Sequence, residues 1–392
     1  MTIIIIIIFL FAVSQIAHSY LFFPVILKLL AARKKENEII FHLEDSDIPT
    51  ISILLSAYNE EQVMDEKIRS VMDTSYPLHK IEFLIGSDAS TDATNDIIRM
   101  WQEKYPRIKL IEFSGRSGKS KIINELATCA KGEIFILTDA NVIFKNDTIY
   151  HLVKHYKNSR IALVGGNIVN SRLSKDGISI QETSYISREN KIKYWEGKVW
   201  GTMIGAFGGC YSIRAEYYAP VPRNFFMDDF YITLNVIEKK GLSIFEPKAA
   251  CFEDVSNKIA EEFRRKMRIS IGNFQNLGRY ARLLYPPFSG VSFCFMSHKV
   301  LRWFGPFFLI LALLSNVFLY GHGWFFNATL LIQLVLIALP ILDLILRKLK
   351  VHINLLRYIT HFYLMNLALL VGFIKFLRGV ETNIWQPTQR FQ

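Results

Sequence analysis

Apolar positions crowd the two ends of the chain and alternate with polar ones only in its middle. Residues 1–27 contain no Asp, Glu, Lys or Arg, and 303–320, 323–342 and 358–374 are equally uncharged. A bilayer core of about 30 Å needs roughly 20 apolar residues as helix, which the first three stretches supply. The fourth is marginal. Its apolarity argues for crossing, and the Lys375 and Arg378 that follow argue for lying at the interface. Between these ends the pattern changes period. Residues 49–56 are β-branched and apolar behind a proline, and read as a buried strand. A helix is expected next, capped by Asn59, with Glu60, Glu61 and Asp65 near its start. Strands follow at 81–86, 109–113 and 133–137. Helices stand between them, one capped by Ser90 or Thr91 and running to about Tyr105, the other over 117–130. Strand–helix alternation of this kind predicts an α/β domain with a parallel sheet covered on both faces.

Composition agrees with that division. With 51% hydrophobic and 21% charged residues, a freely soluble protein, a disordered chain and a small disulfide scaffold are excluded. The four cysteines (Cys129, Cys210, Cys251 and Cys294) form no CxxC pair and read as reduced structural thiols. The N-terminal run has no basic residues before it, and Lys28, Arg33, Lys34 and Lys35 after it. It reads as an uncleaved anchor that leaves the central domain in the cytosol. The net charge is +11, and residues 257–283 hold seven Lys or Arg against two Glu. Beside a membrane segment, such a stretch reads as attraction to anionic head groups. Nucleic acid is not an expected partner, because no base-reading motif accompanies the charge.

The candidate chemistry lies where strands end, since ligands in such sheets bind at the carboxyl ends. Asp88 and Asp139 each close an apolar strand and so converge on one crevice. Two acids there repel unless a cation or donor groups intervene, which suggests a divalent ion held by Asp139 and, less strongly, Asn141. Residues 115–120 carry a Gly-Lys-Ser end but have Phe113 where a phosphate-hydrolysing loop needs glycine. Lys119, before a helix, is nonetheless placed to touch a diphosphate. Asp228 and Asp229 open an apolar stretch, either as an acidic helix start or as a general base in a dry cleft. On an amphipathic helix bearing Phe263, Met267, Ile271 and Phe274, Arg268 is either a head-group contact or a partner for a leaving diphosphate.

Taken in order, these motifs resemble the membrane-bound inverting family 2 glycosyltransferases, the group that includes cellulose, chitin and hyaluronan synthases. The resemblance runs over about 49–278. Residues 56–60 are similar to the first nucleotide-contacting strand end, implying donor contacts by Tyr58 and Glu60. Residues 87–94 are similar to the segment that holds uridine through Asp88, and 118–124 to the glycine–lysine helix start. Residues 138–141 resemble the metal-binding DxD motif. Gly208 and Gly209 begin a segment similar to the acceptor side, and Asp228-Asp229 resembles the ED base pair.

The resemblance implies a GT-A-like, Rossmann-type nucleotide-sugar domain between transmembrane helices. The expected divisions are an anchor over 1–32, a cytosolic transferase domain over 36–256, an interfacial amphipathic segment over 257–300, a transmembrane region over 301–377 and a tail over 378–392. It further implies Mg²⁺ or Mn²⁺ and a nucleotide-sugar donor, with UDP expected. The acceptor would be a saccharide or a lipid-linked group at the bilayer, and the protein a multi-pass enzyme of the cytoplasmic membrane. Asp229 would be the base of an inverting displacement, with Lys119, Arg268 and the metal on the diphosphate.

Three departures stand out. Asn141 replaces the second acid of DxD, and Asp228 replaces the glutamate of ED. QxxRW survives only as Arg265–Ile269, without its Gln and Trp. That loss favours transfer of a single sugar to a lipid, whereas the C-terminal apolar segments favour a processive synthase. A non-catalytic sugar-nucleotide sensor is the alternative from another class. Trp385, Thr388 and Arg390 are faintly similar to the gating motif of hyaluronan synthases.

Overall fold

The computed structural model describes residues 1–171, 179–254, 259–349 and 351–379. The segment with Trp385, Thr388 and Arg390, and the tail beyond 379, lie outside the described residues. The chain forms two compact units: Met1–Leu29, Leu173–Tyr185 and Asn257–Gly379 belong to one, and Leu30–Arg172 and Ile186–Ser256 to the other.

The second unit is built on an eight-stranded sheet. Its strands are β1 (Ile51–Ala57), β2 (Ile81–Ser87), β3 (Ile108–Glu112), β4 (Ile134–Thr138), β5 (Val142–Phe144), β6 (Ile161–Ser171), β7 (Cys210–Arg214) and β8 (Leu242–Asp254). They lie in the order β3-β2-β1-β4-β7-β6-β8-β5. The first half matches the alternating pattern, with β3, β2, β1 and β4 all parallel. Helices Glu61–Met72, Thr94–Lys104 and Lys119–Cys129 connect these strands. Ile53, Leu55, Phe83, Ile85 and Ile136 are wholly buried between the layers, which is why the strands read as unbroken apolar runs.

The other half departs from the parallel expectation. β7 runs antiparallel to both β4 and β6, and β5 runs antiparallel to β8. The strand–helix alternation also stops here: β4 and β5 are joined by three residues without a helix, and they do not pair with each other. The expected caps also differ. Asn59 has a left-handed backbone (φ 52°) and does not cap the helix that starts at Glu61. Its Oδ1 accepts from the Thr91 N–H at 2.9 Å, tying the loops after β1 and β2 together. The next helix has Ala93 at its N-cap, without a side-chain cap, and Asp92 before it accepts from the Thr94 N–H through Oδ1 at 3.1 Å.

In the first unit three helices are long and apolar enough to cross a membrane: Thr2–Ala32, Trp324–Lys348 and Asn354–Leu377. The marginal fourth stretch of the sequence therefore belongs to a helix of 24 residues. The stretch 303–320 does not form the straight span expected of it. Helix Gly305–Phe318 has 14 residues and is bent by 63° from Gly290–Trp303. Pro306, in the first turn, starts a helix well and cannot continue one from the preceding segment. Fourteen residues rise only about 21 Å, short of a bilayer core.

Phe9 and Ala12 of the N-terminal helix pack against Ala312 and Leu319. Helix Ile259–Tyr280 turns its apolar stripe onto neighbouring helices of this unit. Phe274 meets Phe373 edge-on at 4.7 Å, and Ser270 Oγ donates to the Leu369 carbonyl at 2.8 Å. Gly372 is required at that crossing, since a Cβ there would lie 2.4 Å from the Ser270 Cβ.

Candidate active site

Four sequence elements meet at the carboxyl edge of the sheet. Strand register brings them level: Ala57 pairs with Ser87, and Leu55 with Thr138. The residues leaving these strands are Tyr58, Asp88 and Asp139. Among the described residues, three of the four non-glycine residues with positive φ also lie beside them, namely Asn59, Ala89 and Met227. Backbone strain of this kind collects where function constrains the chain.

Asp88 is buried, and its carboxylate is met by three donors. The Ser117 N–H reaches Oδ1 at 2.5 Å, and the Gly118 N–H and Arg116 Nε reach Oδ2 at 3.1 Å. Asp88 thus fixes the loop that presents Lys119. Arg116, which the sequence reading passed over, lies 3.3 Å above the Tyr58 ring. Together the two make a flat, charged wall beside β1. Glu60 is buried as well, and its N–H donates to Thr94 Oγ1 at 2.8 Å.

Lys119 Nζ lies 2.7 Å from Asp139 Oδ1 and 3.6 Å from Asp228 Oδ2. Burial alone would lower the lysine pKa, but the two carboxylates more than reverse that and raise it. Asp228 and Asp229 open helix Asp228–Glu238, where unpaired N–H groups favour negative charge. Asp229 is only 8% exposed, and its Oδ1 accepts from the Phe230 N–H at 2.7 Å. Burial and then the neighbouring Asp228 push its pKa up to about 6, against the opposing pull of Lys119.

The two glycines lie against these acids. A Cβ at Gly208 would fall 3.1 Å from Asp229 Oδ2, and one at Gly209 would fall 2.6 Å from the Val142 side chain. Gly209 is held by Thr138, whose Oγ1 donates to its carbonyl at 2.9 Å. Lys67, also missed in the sequence, is wholly buried beneath this turn. Its Nζ donates to Thr138 Oγ1 at 2.8 Å and to the Val142 carbonyl at 2.5 Å. An isolated lysine inside a helix pattern gives no sign of such a place. Lys193 is a third such group, buried with its Nζ 3.2 Å over the Phe207 ring. Arg268 belongs to the other unit, half-buried on helix Ile259–Tyr280, with Arg264 exposed on the same helix.

A divalent ion fits the chemistry of the Asp139 turn. The Lys119 ammonium already stands as a cation between Asp139 and Asp228. Among the described residues no three His, Cys, Asp or Glu side chains cluster for a metal. The turn therefore suits an ion that takes one or two side-chain oxygens from the protein and the rest from phosphate and water, as Mg²⁺ does.

Residues 52–216 match the family model described as glycosyl transferase family 2. Over that segment the chain is similar to family 2 glycosyltransferases. Over 110 residues it is 29% identical to the probable glycosyltransferase YdaM of Bacillus subtilis, covering 27% of this chain and 26% of that one. Over 119 residues it is 29% identical to the beta-monoglucosyldiacylglycerol synthase of a Nostoc species, covering 30% and 25%. Over 243 residues it is 24% identical to the poly-beta-1,6-N-acetyl-D-glucosamine synthase of Staphylococcus epidermidis, covering 60% and 57%. The chain thus spans between a quarter and somewhat over half the length of these relatives. Among solved structures, the mannosyltransferase PcManGT from Pyrobaculum calidifontis, in complex with GDP-Man and Mn²⁺, superposes with a TM-score of 0.70 at 21% identity. That match covers 94% of this chain and 99% of the other, and the shared fold confirms a GT-A-like sheet.

Proposed function

We propose that this protein is a membrane glycosyltransferase that moves a sugar from a nucleotide donor to a saccharide or lipid-linked acceptor, with inversion at the anomeric carbon. The observation that carries this reading is Asp229, a carboxylate buried at a helix start with its pKa raised to about 6. Such a group is ionised at neutral pH yet more basic than an ordinary aspartate. Asp229 takes the proton from an acceptor hydroxyl. That oxygen bonds to the anomeric carbon as the bond from the same carbon to the diphosphate breaks, releasing a nucleoside diphosphate. Lys119 meets the charge that grows on the diphosphate, and Arg268 is assigned the same duty. Tyr58, Glu60 and Asp88 hold the nucleoside side, Asp88 through the loop it fixes. Gly208 and Gly209 leave room for the acceptor beside the acids. A divalent ion, Mg²⁺ or Mn²⁺, held by Asp139 and Asn141, supplies further positive charge to the diphosphate when bound.

The acceptor follows from the membrane. Three helices long enough to cross it accompany the domain, and two of the relatives are named as synthases of a polysaccharide and of a glycolipid. The catalytic domain is assigned to the cytosol on the basic residues that follow the first helix. A sensor without turnover would not need its base, and Asp229 is retained.

The test uses the full chain in detergent with a panel of UDP- and GDP-sugars, scored for release of the nucleoside diphosphate. Release is expected with at least one donor, and gel filtration of the product separates chain growth from single transfer. Asp139→Ala should remove metal-dependent donor binding and turnover together. A panel with no release from any donor sinks the transferase reading, and EDTA-indifferent binding sinks the metal.

A further inference from the structure

The turn after β4 has an amide, Asn141, where the resembling family has its second acid. The fold brings a carboxylate to that amide from a strand distant in sequence. Asn141 Nδ2 donates to Glu253 Oε1 at 3.0 Å. The two meet because β5 pairs antiparallel with β8, with Val142 directly opposite Glu253. Asp139 shares this turn, whose closing bond runs from the Val142 N–H to the Asp139 carbonyl at 3.2 Å.

The chemistry of an amide makes this contact directional. A carboxylate only accepts hydrogen bonds, so the amide must present its N–H₂ end to Glu253. Its carbonyl oxygen is then committed to the other side. Among the described residues no donor bonds that oxygen. A neutral oxygen, oriented and unused, therefore stands two residues from Asp139, and a negative charge stands directly behind it. Aspartate at 141 would combine both properties in one side chain. Here they are divided between two residues.

We propose that Glu253 is a positioning residue for a divalent cation at the Asp139–Asn141 turn. It orients the Asn141 amide with its oxygen free to ligate, and it returns to the turn the charge that asparagine lacks. This rests on the metal-dependent transferase reading above. Groups that orient metal ligands are commonly worth ten- to a hundredfold in metal affinity.

The test measures Mn²⁺ binding to the full chain in detergent by water-proton relaxation, with and without UDP, alongside melting temperature. Wild type should bind Mn²⁺. Glu253→Gln should weaken that binding by about tenfold while leaving UDP affinity without metal unchanged. Asn141→Asp in the Glu253→Gln background should restore most of the lost affinity, because one side chain again carries oxygen and charge. Asn141→Asp alone sets two carboxylates against each other and should not tighten Mn²⁺ binding. Equal Mn²⁺ affinity in wild type and Glu253→Gln overturns the inference and leaves the proposed function standing. A lower melting temperature with no rescue by Asn141→Asp also overturns it, since Glu253 would then only hold β5 to β8. Wild type that binds no Mn²⁺ takes down the metal reading and this inference together, while nucleotide release in EDTA still tests the transferase.

Discussion

Each unit of the protein buries a carboxylate beside a lysine, and the two carboxylates respond in opposite ways. Asp229 in the sheet unit is 8% exposed, and its pKa rises to about 6. Glu182 in the helical unit is 1% exposed, and its pKa falls well below the usual range. Burial pushes both upward, so burial does not decide between them. The neighbours do. Asp229 has a second acid next to it, while Lys119 is drawn to Asp139 at 2.7 Å and to Asp228. Glu182 has Lys266 at 2.7 Å from Oε1 and His361 at 3.3 Å from Oε2, with Arg265 adding to their pull. An excess of acids makes a base that holds its proton more tightly, and an excess of cations makes a carboxylate that stays ionised. The first suits chemistry. The second ties helix Ile259–Tyr280 to helix Asn354–Leu377 inside one unit.

Removing each acid should expose this contrast, and the catalytic effect should be the larger. Asp229→Asn keeps the shape and removes the base, so kcat should fall by about 10²–10⁴ with donor affinity retained. Asp228→Asn should cost less. Calorimetry with the donor and assays of nucleotide release decide it, and a dead Asp228→Asn beside an active Asp229→Asn would reverse the two roles. Glu182→Ala should act on stability instead. It removes one of the two carboxylates on buried Lys266, which keeps Glu262 at 3.2 Å, at a cost of about 1.5–3 kcal/mol. Adding Lys266→Met should recover much of that, read as melting temperature in detergent. A Glu182→Ala protein that melts normally would mean the network is solvated.

Smaller effects sharpen the comparison. Arg268→Ala should slow transfer by the equivalent of about 1.5–3 kcal/mol, the worth of a charged hydrogen bond, while Arg264→Ala leaves turnover near wild type. Equal, small losses at both positions would assign the whole helix to head groups. The smallest effect is on stability against pH, and here the sign divides the units. The folded pKa of Asp229 lies above its ordinary 3.8, so its ionisation costs stability as pH rises from about 4 through about 6. Asp229→Asn should therefore raise the melting temperature at pH 7. The folded pKa of Glu182 lies below its ordinary 4.5. Its contribution is full above that value and is lost as pH falls beneath it. Glu182→Gln should accordingly lower the melting temperature at pH 7 and matter less in acid. Melts of Asp229→Asn between about pH 4 and 7, and of Glu182→Gln from about pH 6 down to well below 4.5, check the opposite slopes.

Much of the sheet unit was legible in the chain. Strands β1 to β4 were found within two residues of their ends, and for β1, β2 and β4 the reason is that a strand buried on both faces is a nearly continuous apolar run. Asp88, Lys119, Asp139 and the Asp228-Asp229 pair were marked because strand ends and helix starts are where polar residues interrupt such runs. Arg116, Lys67 and Glu253 were not. Each owes its place to a residue at least 58 positions away in sequence for Arg116 over Tyr58, 71 for Lys67 on Thr138 and 112 for Glu253 on Asn141. Periodicity carries no information over such distances. In the helical unit apolarity identified the segments, while the structure added the bend at Gly305-Pro306 in one and the helix that continues beyond the uncharged core of another.

The sequence alone therefore determined what depends on near neighbours: the apolar segments, the alternation of strand and helix, and the residue types that close each strand. Those follow from local backbone preference and from hydrophobic patterning over a few turns. Only the tertiary structure decided how the acids behave. The raised pKa of Asp229 and the lowered pKa of Glu182 are set by which charges packing brings within a few ångströms. Coulomb interaction depends on that distance and on burial, and neither is written in the spacing of residues along the chain.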